Sequence, residues 1–186
     1  MSLFRPAALV TAALLIYACA SGEMQLDSVD GDTDVGATPA GSPIGSESPD
    51  VAFLRAMIDH HEGLLFVIMT AMNNTSREAT RSHAQRLHRQ RTAERDSMVA
   101  LLRRTFAVGH TPRIDPADIV KADSIPNREG EARDALFYRI LARHHEDGVR
   151  LIERHTGELQ DPAVRTLAEQ LKATKETALS TYSTPN

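Results

Sequence analysis

The sequence predicts an all-α fold, a four-helix bundle built from a duplicated helical hairpin. Three observations lead there. Gly and Pro punctuation is confined to two segments, and the stretches between are long and rich in Ala, Leu, Arg and Glu, a composition that favours helix. Within them apolar residues recur at three- and four-residue spacing, which lays one apolar face along each helix. The chain also matches itself without a gap at an offset of 84 residues. Asp50, Phe53, Arg55, His60, His61, Glu62 and Ile68 fall on Asp134, Phe137, Arg139, His144, His145, Glu146 and Ile152, and Arg81, Ala84 and Leu87 fall on Arg165, Ala168 and Leu171. Two copies, 50–102 and 134–186, each a helical pair, make four helices.

Residues 1–19 read as a signal peptide rather than as fold. One Arg precedes the apolar run AALVTAALLIYA, which is too short to span a bilayer. Cys19 follows Ile16, Tyr17 and Ala18 and is the single cysteine of the chain, a pattern resembling the lipidation site of bacterial lipoproteins. The expectation is an exported protein on the periplasmic or cell-surface side, membrane-anchored through lipid on Cys19. An ordinary secretory signal is the alternative. A lone cysteine excludes an intramolecular disulfide. Residues 20–48 are small, polar and acidic, with too little apolar surface to offset the entropy of ordering, and read as a flexible tether. The bundle domain is then 49–182.

Each helix carries end signals. Ser48 is placed to cap a first helix over about 49–73, with Pro49 at its first position. Thr75 with Glu78 forms a capping-box pattern for a second helix reaching about 105. The segment from Phe106 to Gly130 is a Pro-bearing crossover with a short helical turn at 116–121. A third helix covers about 131–156 and stops near Gly157. Asp161 and Pro162 open a fourth that reaches about 182.

The apolar faces contain histidines. At 100° per residue, Asp50, Leu54, Met57, His61, Leu64, Leu65 and Ile68 share one direction on the first helix, with Phe53 and His60 at its edge. Asp134, Tyr138, Leu141, His145, Gly148, Val149 and Ile152 share the matching face of the third, with Phe137 and His144 beside it. Both His pairs lie at mid-helix, so four imidazoles should meet in one core layer whether the two helices run parallel or antiparallel. Counting back from the hairpin loop places His88 level with His61. Asp50 or Asp134 are candidate hydrogen-bond partners for the histidines. An unsatisfied buried nitrogen costs on the order of 1–3 kcal/mol, and a bound metal ion would satisfy several at once. A polar network without metal is the competing reading.

None of the eight histidines has Asp or Glu three residues before it, so the Glu-x-x-His pattern of carboxylate-bridged di-iron bundles is missing. The His-x-x-x-Glu pattern of hemerythrin-like domains is missing too, because positions 65 and 149 are Leu and Val. What remains is imidazole with thioether: His60, His61, His144, His145, Met57 and His88, with Met69 and Met98 on the same helices. That set suits copper, Cu(I) above all, with zinc as the imidazole-only alternative.

Asp50, Phe53, Met57, Ile58, His60 and His61, followed by Asp134, Phe137, His144 and His145, resemble the doubled motif of the domain-of-unknown-function 305 (DUF305) family over about 49–182. The resemblance implies a ferritin-like four-helix bundle, export from the cytoplasm, and in some members binding of copper or silver. Relatives usually carry Gln, Glu and Met down the second helix. Here Arg91 stands at the Gln position while Glu94 and Met98 are kept, and Lys175, Ala178 and Tyr182 are the equivalents in the last helix. Arg91 and Lys175 would project towards the core, where buried charges need partners such as Asp134, Asp50 or Glu94. They would also repel a cation.

His83 and His110 read as surface or loop residues, and His155 suits the negative end of its helix. There is no extended basic run and little aromatic content, which excludes a nucleic-acid partner. No nucleophile–base pair, phosphate loop or paired catalytic carboxylates point to an enzyme. The partners implied are a metal ion and, through the lipid, a membrane; a homo-oligomer is left open. The functional expectation is an exported protein that binds or buffers copper. The alternative is a structural or interaction domain whose buried His/Asp/Arg network sets helix register.

Overall fold

The computed structural model describes residues 47–182. The expected signal peptide, Cys19 and nearly all of the expected tether lie outside them. The described residues form α1 (Pro49–Asn74), α2 (Glu78–Phe106), α3 (Pro116–Asp123), α4 (Gly130–Thr156) and α5 (Pro162–Tyr182), with no strand among them. α1 packs on α2, α4 on α5, and α1 also touches α3 and α4. None of these helices is long and apolar enough to cross a membrane.

The helix ends follow the sequence except at three places, the first being Ser48, which stands at the N-cap of α1 but makes no side-chain cap bond. Asp161 caps α5 as expected, its carboxylate accepting from the N–H groups of Ala163 and Val164. The expected capping box at Thr75 does not form: the residue preceding α2 is Arg77, without a side-chain cap, and the Thr75 hydroxyl donates to Asp134 instead. Tertiary demand outweighs the local cap here. In the crossover, the short turn is a full helix, α3, capped by Asp115 through the N–H of Ala117. Gly130 opens α4 at φ +50, a conformation that L residues with a Cβ adopt only with strain.

Two aspartates at equivalent repeat positions lock the hairpins together. Asp50, at the start of α1, accepts from the backbone N–H groups of Gln160 and Asp161 in the α4–α5 loop. Asp134, at the start of α4, accepts from the hydroxyls of Thr75 and Thr80 around the α1–α2 turn. Each hairpin thus holds the loop of the other, and α1 and α4 run antiparallel. The buried hydrophobic residues form two clusters. One contains Phe53, Leu54, Met57, Met98, Leu102, Ile152 and Leu171; the other contains Leu64, Ile68, Ala84, Leu87, Phe137, Ile140 and Leu141. Each buried Leu, Ile or Phe contributes about 1.5–3 kcal/mol. Between the clusters lies a band of polar side chains.

Candidate functional site

Every helix of the bundle supplies that band near its middle: His60 and His61 from α1, Arg91 and Glu94 from α2, His144 and His145 from α4, Lys175 from α5. His61, Arg91, His144, His145 and Lys175 are all buried. Asp118 of α3 closes one side. It fits only because position 63 is Gly: a Cβ there would lie 2.1 Å from an Asp118 oxygen. Gly148 plays the same part for His60 and Lys175, since a Cβ would come within 2.7 Å of His60 Nε2 and 2.8 Å of Lys175 Cδ.

The imidazoles have different partners. His61 Nδ1–H donates to the Met57 carbonyl at 2.9 Å, and His61 Nε2 lies 2.9 Å from Glu94 Oε2. Burial lowers the His61 pKa while Glu94 raises it. His61 is thus held between the Met57 carbonyl and the Glu94 carboxyl, and burial outweighs both partners, leaving its pKa at about 4. Burial raises the Glu94 carboxyl, but bonds from His61 and Arg91 outweigh it and bring it down to about 2. Arg91 donates to Glu94 Oε2 at 2.5 Å through Nη1 and to His145 Nε2 at 3.4 Å through Nη2. That contact assigns His145 a neutral ring with its proton on Nδ1, and burial, with Lys175 and Arg91 nearby, pushes its pKa to about 3.

His60 and His144 stack across the α1–α4 seam, ring centroids 3.7 Å apart and 16° from parallel. Burial holds both well below the ordinary imidazole range, with neighbouring imidazoles and Lys175 acting in the same direction. Buried nitrogens without a hydrogen-bond partner gather in this band: His60 Nε2, His144 Nε2, His145 Nδ1, Arg91 Nε and Lys175 Nζ. Lys175 is fully buried, and desolvation, then Arg91, lowers its pKa to about 7. His60 and His144 line an open cavity of about 340 Å³ together with Asp118, Lys121, Asp147 and Arg150.

The expected ligand set does not converge on one ion. Among the described residues no group of three or more His, Cys, Asp or Glu side chains could hold a metal. His61 and His145 already use nitrogens on Met57, Glu94 and Arg91. The Met57 side chain packs in an apolar cluster. His88 is not level with His61, whose partner across the hairpin is Glu94; it sits about two turns nearer the loop, in a groove on the outer α1–α2 face. Asp50 and Asp134 serve the loops instead of the histidines. His60 and His144 are the pair whose free nitrogens and chemistry fit a cation. His83 is half-buried and bonds the Tyr182 hydroxyl at 3.3 Å, while His110 ties the crossover loop to Asp59 at 2.6 Å. Asp118 escaped the sequence reading because only the path of the crossover brings it to the band.

The fold is found in solved structures. A DUF305 fragment from Deinococcus radiodurans superposes with TM-score 0.63 at 21% identity, covering 73% of this chain and 93% of that one. A DUF305 protein from Streptomyces coelicolor, described as a candidate secreted protein, gives 0.61 at 16% identity, covering 73% and 90%. CopM in its Cu(I)-bound form gives 0.58 at 15% identity, covering 72% and 91%. These likenesses establish the helical bundle. No curated protein matches the sequence. A family model described as Domain of unknown function (DUF4142) matches residues 68–183, more than half of the chain, so the chain belongs to that family.

Proposed function

Starting from a DUF4142 chain folded like the DUF305 bundles, we propose that this protein is an exported copper-binding protein that buffers the ion or hands it on, tethered to a bacterial membrane by lipid on Cys19. One observation carries the binding part. His60 Nε2 and His144 Nε2 are buried, unpartnered and held neutral by their surroundings, and the two residues line a cavity open to solvent. A neutral imidazole with a free lone pair is a metal donor, and copper accepts imidazole in either oxidation state. The Cu(I)-bound state of CopM, a fold neighbour, supports the choice of ion. Binding requires the stacked rings to slide apart, since parallel lone pairs do not meet at one point.

A second reading is favoured by Arg91. Its guanidinium already bridges Glu94 and His145, as a bound cation would, so the band can fix helix register without metal. Titration separates the two. Under the first reading, Cu(I) at about 100 times the Kd of the His60–His144 site adds about 2.7 kcal/mol of unfolding stability through that site, and His60→Gln with His144→Gln removes that contribution. No rise with Cu(I), Cu(II) or Zn(II) leaves the register reading standing. The anchor is tested separately: mass analysis of the mature N-terminus should show lipid on Cys19 and lose it in Cys19→Ala.

A further inference from the structure

The two hairpins carry different chemistry at one pair of positions on the outer face. In the second hairpin Lys172 donates to Glu153 at 2.8 Å, bridging α5 and α4 on the outer face. The repeat-equivalent residues of the first hairpin are Met69 and His88. Helical register brings the same two residues together. Arg95 of α2 donates to Glu62 of α1 at 2.6 Å, which fixes the register of the hairpin on this face. Seven residues further along α1 stands Met69, and seven back along α2 stands His88. Seven residues are about two helical turns, so both steps return to the same face at the same height. Glu62, Met69, His88 and Arg95 accordingly line one groove.

The chemistry of the pair is unusual for a surface. Met69 is 46% exposed, although a thioether gains nothing from contact with water. The half-buried His88 ring has no hydrogen bond in this groove, and Phe66, Leu65 and Ile114 supply apolar walls. Glu62 is neutralised by Arg95, so the groove holds no uncompensated carboxylate that would attract hard dications. A thioether beside a free imidazole is a donor set for soft ions.

We propose that Met69 and His88 form a surface site for a soft monovalent cation, Cu(I) or Ag(I), separate from the histidine band. The site does not depend on the reading of the core. Ag(I) is the probe, being diamagnetic and redox-inert, added to the full chain with isotope-labelled methionine methyl groups and histidine rings. The Met69 methyl and the His88 ring should shift together and saturate with a single equivalent. His88→Gln should weaken the Met69 response about tenfold, and Zn(II) should leave the methyl unmoved. In His60→Gln with His144→Gln the Met69 and His88 response should persist, even where the core response is gone. A Met69 methyl that stays still, or one whose affinity for Ag(I) is indifferent to His88→Gln, overturns the proposal. So does a Met69 response that vanishes with the core histidines.

Discussion

The first hairpin, α1–α2, and the second, α4–α5, are two versions of one design. What they share builds the bundle: an aspartate that grips the opposite loop, a histidine pair at mid-helix, and a buried cation facing it, Arg91 in one and Lys175 in the other. What they do not share sets the chemistry. Glu94 of the first hairpin pairs with both His61 and Arg91; the second has Ala178 at that place, and Lys175 is left without a hydrogen bond. One carboxylate thus decides whether a buried cation is paired or stranded. On the outer face the asymmetry reverses, with the second hairpin paired as Lys172–Glu153 where the first presents Met69 and His88.

Acid should break what the hairpins share, with the largest effect. A buried neutral imidazole has a folded pKa below its unfolded value of about 6.5, so the unfolded chain takes up protons first and stability falls as pH drops through that value. The fall continues towards about 3 for His145, with His60 and His144 acting in the same direction, each contributing up to about 1.4 kcal/mol per pH unit. Lys175 has the same sign at higher pH. Lowered to about 7 from 10.5, it should make stability rise between those values. Denaturant unfolding at a series of pH values checks both limbs; Lys175→Met should abolish the upper one and lessen the lower, since Lys175 also depresses the histidines.

Glu94→Ala should destabilise by about 3 kcal/mol, because it strands Arg91 and His61 together in the band. The mirror change, Ala178→Glu, sharpens the contrast: it offers Lys175 an acceptor and should return its pKa towards 10.5, read by the loss of the alkaline rise in stability. Asp134→Ala, which frees two buried hydroxyls and the turn they hold, should cost about 2 kcal/mol by thermal unfolding. Exchanging the outer pair by Met69→Glu with His88→Lys makes the first hairpin resemble the second there. As an exposed ion pair it should change stability by less than about 0.5 kcal/mol while removing the soft-cation response.

Much of this architecture was legible in the residues. The offset repeat gave the helix number, the apolar stripes gave the buried faces, and Asp161 with Pro162 gave the start of α5, because these are local or periodic properties. The site was legible only in outline. His60, His61, His144 and His145 do meet in one band, yet nothing in their spacing told which nitrogens would be free. Thr75 left its expected cap for Asp134, and His88 fell two turns from its expected height. Both outcomes depend on contacts between residues far apart in the chain.

The sequence by itself determined the four long helices, their duplication and the histidine-bearing faces, since helical periodicity and capping act over a few residues. Tertiary structure alone decided the antiparallel pairing of α1 and α4, the placing of Asp118 against Gly63, and the partners of each imidazole. Hydrogen bonds and desolvation in a buried band depend on which side chains arrive within about 3 Å of one another, and that distance is set by packing between helices rather than by any pattern within one.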